Sequence, residues 1–512
     1  MNFNIAETMI HRARLTPDDE GFVGEGYRYT FKQVNMRVNR FASYLKQQGL
    51  LPGERIAILC KNNEHLAVAI YAAAKAGGVA VILNWRLRVP ELDYILNNCK
   101  ASFLLYDVEF EENVDQLRRT TLVKYYLRNN SQSNDPEFES ALSGQTDTEP
   151  ILVTGGDDPA LIMYTSGTTG KPKGATLTHN NLIWSSFGLS HTLDWNFRDR
   201  FLLVAPIFHI GGLVPLITDV QKGATTIFAP NFDPKTVWNT IASERITSMM
   251  SVPAMLQAML MVARNSDVDP SSLRWVMCGA SAVPESLIRA YLDLGIKVEQ
   301  VYGITEFSGG VTFWLHNMPL EKCHTHGKSI FYSQVKVVDP KTDIEKPPGE
   351  VGEILCKGPF VFKEYWDNPK ATSEAIVDGW YRSGDLGKID EEGYLTVVDR
   401  LKDMIISGGE NIYPAELEAV ILQHPSVLDV AVVGVHDNKW GEIPVGYVVR
   451  KPGATVESTD IIRLCKEKLA SFKCIREVHF VDDLPRNPVG KILKHALKKS
   501  NLEFEKSKCV RV

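Results

Sequence analysis

The chain of 512 residues has no C-x-x-C pair, and its eight cysteines (Cys60, Cys99, Cys278, Cys323, Cys356, Cys465, Cys474 and Cys509) lie at no histidine spacing that suggests zinc. Scattered cysteines of this kind point to free thiols in a reducing compartment. Positive charge is not in excess either: 56 Lys and Arg against 62 Asp and Glu leave a net charge of −6, so there is no global basic field for nucleic acid or an anionic membrane. No apolar run is long enough for a membrane span. The longest, Leu66 to Trp85, is broken by Lys75 and by Gly77-Gly78, and reads as a buried helix running into a strand. Residues Met1 to Glu7 lack the basic start and apolar stretch of a signal peptide, and Cys509-Val-Arg-Val512 is not a peroxisomal tripeptide, which predicts a cytoplasmic protein. Also missing is a G-x-G-x-x-G opening a helix after a strand with an acid about 20 residues later, which counts against a dinucleotide dehydrogenase.

What is present is the composition of a folded chain, 44% hydrophobic and 23% charged, with mass for several domains. From residue 54 short β-rich runs alternate with helical ones: Arg55 to Cys60 as strand, Glu64 to Lys75 as helix, Val79 to Leu83 as strand. The pattern returns with strands at Phe201 to Val204, Thr225 to Phe228, Ile246 to Met250, Trp275 to Cys278 and Val298 to Val301, and helices near 235–244, 254–264 and 284–293. The fold class expected is α/β: a large N-terminal domain of helix-covered, largely parallel sheets, since such alternation buries strands on both faces. A polar, turn-rich stretch between about 128 and 150 reads as a surface connection or insertion. Beyond 330, hairpins separated by Pro347-Pro348-Gly349 and by Asp390 to Gly393 predict a small antiparallel module. The last roughly 110 residues are enough for a separate small α+β domain.

The most informative segment is Leu161 to Gly174, an apolar strand that empties into a loop of glycines, hydroxyls and two lysines. Glycines let backbone N–H groups turn toward an anion, hydroxyls add donors and lysine adds charge, so the loop can wrap phosphates. It is not a Walker P-loop, because Lys171 is followed by Pro172 and the first required glycine is absent.

Tyr164-Thr-Ser-Gly-Thr-Thr-Gly-Lys-Pro-Lys-Gly174 resembles the signature of the adenylate-forming superfamily, which includes acyl-CoA synthetases, adenylation domains of peptide synthetases and luciferases. Further motifs follow in the family's order: Tyr302-Gly-Ile-Thr-Glu306, Trp380-Tyr-Arg-Ser-Gly-Asp385, Asp399-Arg400, Ser407 to Pro414 and Leu484 to Lys491. The resemblance implies that Thr165, Ser166, Gly167, Thr168, Thr169, Gly170, Lys171 and Lys173 hold the phosphates of ATP. It places Gly279, Ala280, Val301, Tyr302, Gly303 and Ile304 around the adenine, and Asp385 with Arg400 on the ribose. Thr305 and Glu306 fall among the catalytic positions. Glu306 would bind Mg²⁺, for which a carboxylate is a suitable hard ligand. Lys491 would stabilise the charge that builds up when a carboxylate attacks the α-phosphate. Taken alone, a lysine near a C-terminus is most often a solvated charge.

His209, in Ala205-Pro-Ile-Phe-His-Ile-Gly-Gly212, is expected to border the acyl pocket. Amino-acid-activating relatives carry an aspartate at this position, so an amino acid substrate is disfavoured. The implied pocket wall, His209 to Val214, Val301 to Phe307 and Gly309 to Val311, is largely apolar and contributes no arginine. That favours fatty or aromatic monocarboxylic acids over dicarboxylates. The resemblance further implies an N-terminal domain over 1–398, a hinge at 399–402 centred on Lys402, and a mobile C-terminal domain over 403–512 in which Gly408 and Gly409 border a tunnel for coenzyme A.

The function expected is an ATP-dependent carboxylate–CoA ligase, a monomer or homodimer with ATP, Mg²⁺ and coenzyme A, no nucleic-acid partner and no transmembrane segment. A stand-alone enzyme loading a carrier-protein thiol remains an alternative. So does a regulatory nucleotide binder that has lost catalysis, against which the joint presence of Glu306, Asp385, Arg400 and Lys491 counts.

Overall fold

The computed structural model describes residues 3–129, 136–165, 171–407, 410–437, 439–470, 473–486 and 492–498. They form two compact units. The first comprises Met1–Lys336, Leu355–Ser383 and Glu392–Leu395, the second Val337–Ile354, Gly384–Glu391 and Thr396–Val512. The second unit thus takes in 337–354, 384–391 and 396–398, which a linear division at 399–402 leaves on the N-terminal side.

In the first unit a seven-stranded sheet runs in the order Glu364–Tyr365, Lys173–Thr178, Pro159–Thr165, Val79–Ile82, Arg55–Leu59, Phe103–Asp107, Tyr125–Asn129. Its five central-to-far strands are parallel, and most of their residues are buried, as expected for strands covered on both faces. The chain crosses from Arg55–Leu59 to one neighbour, Val79–Ile82, and then back to the other, Phe103–Asp107. The carboxyl ends of Arg55–Leu59 and Phe103–Asp107 therefore open a topological switch point.

The nine-stranded sheet is ordered Lys328–Ser329, Gly309–Trp314, Lys297–Ile304, Trp275–Cys278, Ser248–Ser251, Arg200–Leu203, Thr225–Phe228, Glu20–Gly24, Tyr27–Thr30. Arg200–Leu203 lies between Thr225–Phe228 and Ser248–Ser251, parallel to both, so a second switch point opens at its carboxyl end. The helices that cover this sheet, Pro234–Glu244, Pro253–Asn265 and Glu285–Asp293, enclose a core that includes Trp238, Leu256, Ile288 and Trp314. Strands and helices read from periodicity recur within one or two residues at most ends, because a buried strand must be apolar throughout.

The stretch from Leu66 to Trp85 is a helix, Glu64–Ala76, followed by the strand Val79–Ile82. Asn63 caps the helix through Leu66 N–H at 2.9 Å, and Gly77 ends it at φ +84°, a conformation favoured by glycine. Lys75 is fully buried, bonded to Asn35 Oδ1 at 2.7 Å, to Asn39 Oδ1 at 2.6 Å and to Glu149. A lysine can be interior only with such partners. The region 128–150 is not merely a surface connection: it holds the helix Pro136–Leu142, whose Phe138 is completely buried against Phe41 and His65. Two aromatic contacts outweigh a polar local composition.

A five-stranded sheet follows the order Gln334–Val338, Gly352–Lys357, Trp380–Ile389, Ile376–Val377, with Leu395–Arg400 beside Trp380–Ile389. The second unit also carries its own sheet of Glu410–Ile412, Ile405–Ser407, Gly441–Arg450, Val427–Asp437 and Glu477–Phe480. Helices Pro414–Ile421 and Ser458–Lys468 close one face over Leu417, Val432, Ile461 and Ile475. This is the α+β pattern expected of the C-terminal region. Among the described residues no helix is long and apolar enough to cross a membrane, and the seven described cysteines are buried free thiols.

Candidate active site

The strand Pro159–Thr165 turns back on Lys173–Thr178 with Thr165 opposite Lys173, so the phosphate-type loop is a hairpin connection at the sheet's end. Of that loop, Ser166, Gly167, Thr168, Thr169 and Gly170 lie outside the described residues. Lys171 places its Nζ 5.3 Å from the Tyr94 ring centre, and Lys173 5.0 Å from that of Tyr365. Such packing leaves a lysine's stem fixed and its ammonium oriented.

Glu306 lies in the 3₁₀ turn Thr305–Phe307 that follows the strand Lys297–Ile304, and it is only 8% exposed. Thr165 Oγ1 donates to its Oε1 at 3.2 Å and the Tyr365 hydroxyl at 2.8 Å. The Glu306 carbonyl accepts from Phe362 N–H at 2.9 Å, which ties the turn to the segment that supplies Tyr365. Burial, then the charge of Glu306, raises the pKa of both Tyr365 and Tyr381, so each phenol stays protonated. A carboxylate met by neutral hydroxyls keeps its charge uncompensated, which suits a hard divalent cation. Glu306 and Thr165 are therefore a donor set that fits Mg²⁺.

Gly279 follows the strand Trp275–Cys278 and lies against Val301: a Cβ there would stand 2.4 Å from Val301 Cγ1 and 2.7 Å from its carbonyl oxygen. No side chain fits, so only glycine lets these two strand ends close. Ala280 takes φ +67°, and the Tyr302 ring meets His326 edge-on at 6.1 Å. Gly279, Ala280, Val301, Tyr302, Gly303 and Ile304 are thus brought together along two neighbouring parallel strands.

His209 precedes the helix Ile210–Lys222 at the second switch point. Its ring lies 4.5 Å from that of Phe208, and burial, helped by the charge of Arg86, lowers its pKa to about 4, so it is neutral near pH 7. At Gly309, φ +128°, an added Cβ would stand 3.2 Å from Ser185 Oγ, 3.5 Å from Val214 Cγ2 and 3.8 Å from Ile210 Cγ1, so two of the expected wall segments meet there. Sequence reasoning missed Arg86, whose guanidinium stands 5.7 Å from the Phe208 ring centre and 4.8 Å from that of Trp85. It also missed Tyr365, which sits in no motif, and Tyr381, which lies in the Trp380–Asp385 motif but was given no role there. Only the hydroxyl and guanidinium types could have signalled them.

Within the second unit Arg400 Nε approaches Asp385 Oδ1 at 3.4 Å. Asp399 fixes the neighbouring turn by accepting from Arg400 N–H at 2.7 Å and from Ala415 N–H at 2.8 Å. Leu401 N–H donates to the Gly384 carbonyl at 2.9 Å, which holds the two motif segments side by side. Lys402 is exposed in the turn beyond. Gly408, Gly409 and Lys491 lie outside the described residues.

Residues 9–366 match the family of AMP-binding enzymes, and residues 416–491 the C-terminal domain of the same enzymes. The chain belongs to this adenylate-forming family. It is 40% identical over 495 residues to a feruloyl-CoA synthase of an Amycolatopsis species, covering 96% of this chain and 98% of that protein. It is 38% identical over 501 residues to the long-chain-fatty-acid–CoA ligase FadD13 of Mycobacterium tuberculosis, covering 97% and 98%. Among solved structures, the o-succinylbenzoate coenzyme A synthetase of Bacillus subtilis in complex with ATP and magnesium ion superposes with a TM-score of 0.86 at 32% identity, covering 96% of this chain and 99% of that one. The protein is an ATP-dependent carboxylate–CoA ligase, an acid–thiol ligase that uses ATP, Mg²⁺ and coenzyme A.

Proposed function

We propose that the acid is an apolar monocarboxylate, fatty of medium to long chain or aromatic. The observation that carries this reading is that Ile210 and Val214, in the helix that His209 precedes, meet Ser185 at Gly309, with His209 itself held neutral. The acid's carboxylate oxygen attacks the α-phosphorus of ATP and the bond to pyrophosphate breaks. The thiol of coenzyme A then attacks the acyl carbon of the mixed anhydride, losing its proton, and AMP leaves.

Thr165 to Lys173 cradle the phosphates, and Gly279, Ala280 and Val301 to Ile304 border the adenine. Asp385 and Arg400 hold the ribose. Glu306 and Thr165 would hold Mg²⁺, which when bound supplies positive charge against the triphosphate. Lys491 stabilises the meeting of two anions in the first step. Between the steps the region beyond 399–402 reorients about Lys402, bringing Gly408 and Gly409 toward the thiol. The free buried cysteines among the described residues support a reducing, cytoplasmic setting, and a charge of −6 gives no field to gather nucleic acid; the oligomeric state we propose is monomer or homodimer.

Pyrophosphate–ATP exchange across a panel of fatty, aromatic, amino and dicarboxylic acids tests the substrate class. Exchange supported best by amino or dicarboxylic acids would overturn it. Lys491→Ala should slow adenylation by on the order of 10²–10³ while pre-made acyl-adenylate is still converted with coenzyme A at a near-normal rate. Equal losses in both steps would refute the two-conformation assignment.

A further inference from the structure

We propose that Asn62 is a positioning residue for acid recognition. From the switch point of one sheet, it sets the course of the loop that carries Phe208 and His209 at the switch point of the other. This rests on the reading that His209 borders the acyl site.

Asn62 is 4% exposed and lies in the loop after Arg55–Leu59. Its Nδ2 donates to the carbonyls of Leu203 at 3.0 Å and Ala205 at 2.9 Å, and its Oδ1 accepts from Ile207 N–H at 3.0 Å. These three backbone groups alternate along the segment between Arg200–Leu203 and the helix Ile210–Lys222. All three hydrogen-bonding valences facing the loop belong to one side chain, and a buried loop leaves its backbone no water to turn to.

Asn62 is itself held in place by its neighbours. Asp107, 1% exposed at the end of Phe103–Asp107, accepts from Lys61 N–H at 2.7 Å and from Asn63 Nδ2 at 3.1 Å, and Asn129 Nδ2 braces the same carboxylate at 2.8 Å. The residues on both sides of Asn62 are therefore fixed to one buried carboxylate.

Downstream, the loop has little freedom. His209 N–H bonds to the Pro206 carbonyl at 3.0 Å, and a Cβ on Gly212 would stand 2.4 Å from that same oxygen. Displacing Ala205 or Ile207 therefore moves Pro206, and with it His209 and the first turn of the helix. Phe208 in turn packs on Trp85, with ring centres 6.0 Å apart.

The test compares the wild type with Asn62→Ala, Asn62→Asp, His209→Ala and the Asn62→Ala/His209→Ala pair in pyrophosphate release, using whichever acid of the panel the wild type prefers. If that acid is an amino or dicarboxylic acid, the apolar-acid reading falls while the comparison at Asn62 still runs. Asn62→Ala should raise KM for the acid on the order of tenfold while KM for MgATP stays within about twofold, because only the acid end is mispositioned. The double variant should lose less than the product of the single losses, since both act on one loop. Asn62→Asp presents a carboxylate to two carbonyl oxygens. Its acid KM should be high at pH 8 and partly recover toward pH 6, where a neutral carboxyl can donate one bond, and Asn62→Ala should show no such recovery. Equal shifts in both KM values, or fully multiplicative losses, would overturn the proposal. So would a failure of both Asn62 variants to fold, which would make the residue a determinant of the fold.

Discussion

Glu306 and Asp385 are both motif carboxylates, and their surroundings are opposite. Glu306 is 8% exposed and met by the hydroxyls of Thr165 and Tyr365. The Asp385 side chain is 14% exposed and faces a guanidinium that is 40% exposed. Among the described residues Glu306 forms no ion pair with a lysine or arginine, so its charge, enclosed by neutral donors, remains available to a cation. Asp385 is oriented by Arg400 at a distance, 3.4 Å, that leaves the pair weak and solvent-screened. A carboxylate enclosed by neutral donors stores electrostatic potential for a ligand, whereas one facing a half-exposed guanidinium stores position.

The sharpest break of this contrast is Glu306→Gln, which keeps the shape and accepts the same hydroxyls but removes the charge. Pyrophosphate–ATP exchange should fall by on the order of 10²–10³, and the Mg²⁺ concentration for half-maximal rate should rise. A loss without a changed Mg²⁺ dependence would show that the charge serves another purpose. Asp385→Asn should have a smaller effect, raising KM for ATP on the order of tenfold, with melting temperature shifted little because a surface pair contributes only about 0–1 kcal/mol. A large drop in melting temperature would show that the pair is structural.

Tyr365→Phe removes one of the two hydroxyls and leaves the charge. The expected result is a severalfold higher Mg²⁺ requirement and a destabilisation of about 1–3 kcal/mol from the carboxylate oxygen left short of a donor, read by denaturant titration. An unchanged Mg²⁺ requirement would detach Tyr365 from the ligand site.

The effect smallest at working pH concerns His209. Its pKa, lowered from 6.5 to about 4, means that the folded chain binds fewer protons than the unfolded chain between those values. Its contribution to stability is therefore complete above pH 6.5 and lost as the pH falls toward 4, by up to about 1.4 kcal/mol per pH unit. His209→Asn should flatten stability against pH in that window and leave the shape of the adenylation profile between pH 6.5 and 8.5 unchanged within about twofold. An inflection near pH 6.5 present in the wild type and absent from the variant would show that His209 titrates in the working range.

Much of this was legible without coordinates. The parallel strands announce themselves because burial on both faces demands unbroken apolar runs, and Trp275–Cys278 and Thr225–Phe228 appear at the ends read from the sequence. The carboxylate at 306 was marked by its motif. Its partner Tyr365, 59 residues away, was not, since a phenol in a short edge strand has no local pattern that signals a charge to meet. The helix Pro136–Leu142 was hidden by polar flanks, and its reason for existing, the buried ring of Phe138, is a tertiary contact.

The sequence by itself determined the elements, the order of the motifs and the chemical types available to the reaction, because hydrophobic period, glycine placement and side-chain chemistry are local properties of the chain. Only the tertiary structure decided which of those types share a site. Asn62 meets a loop more than 140 residues away, and Thr165 meets Glu306 across 141. The first meeting joins the points where the two sheets reverse their strand order, the second joins the ends of two other strands, and hydrogen bonds of about 3 Å depend on that packing and not on proximity along the chain.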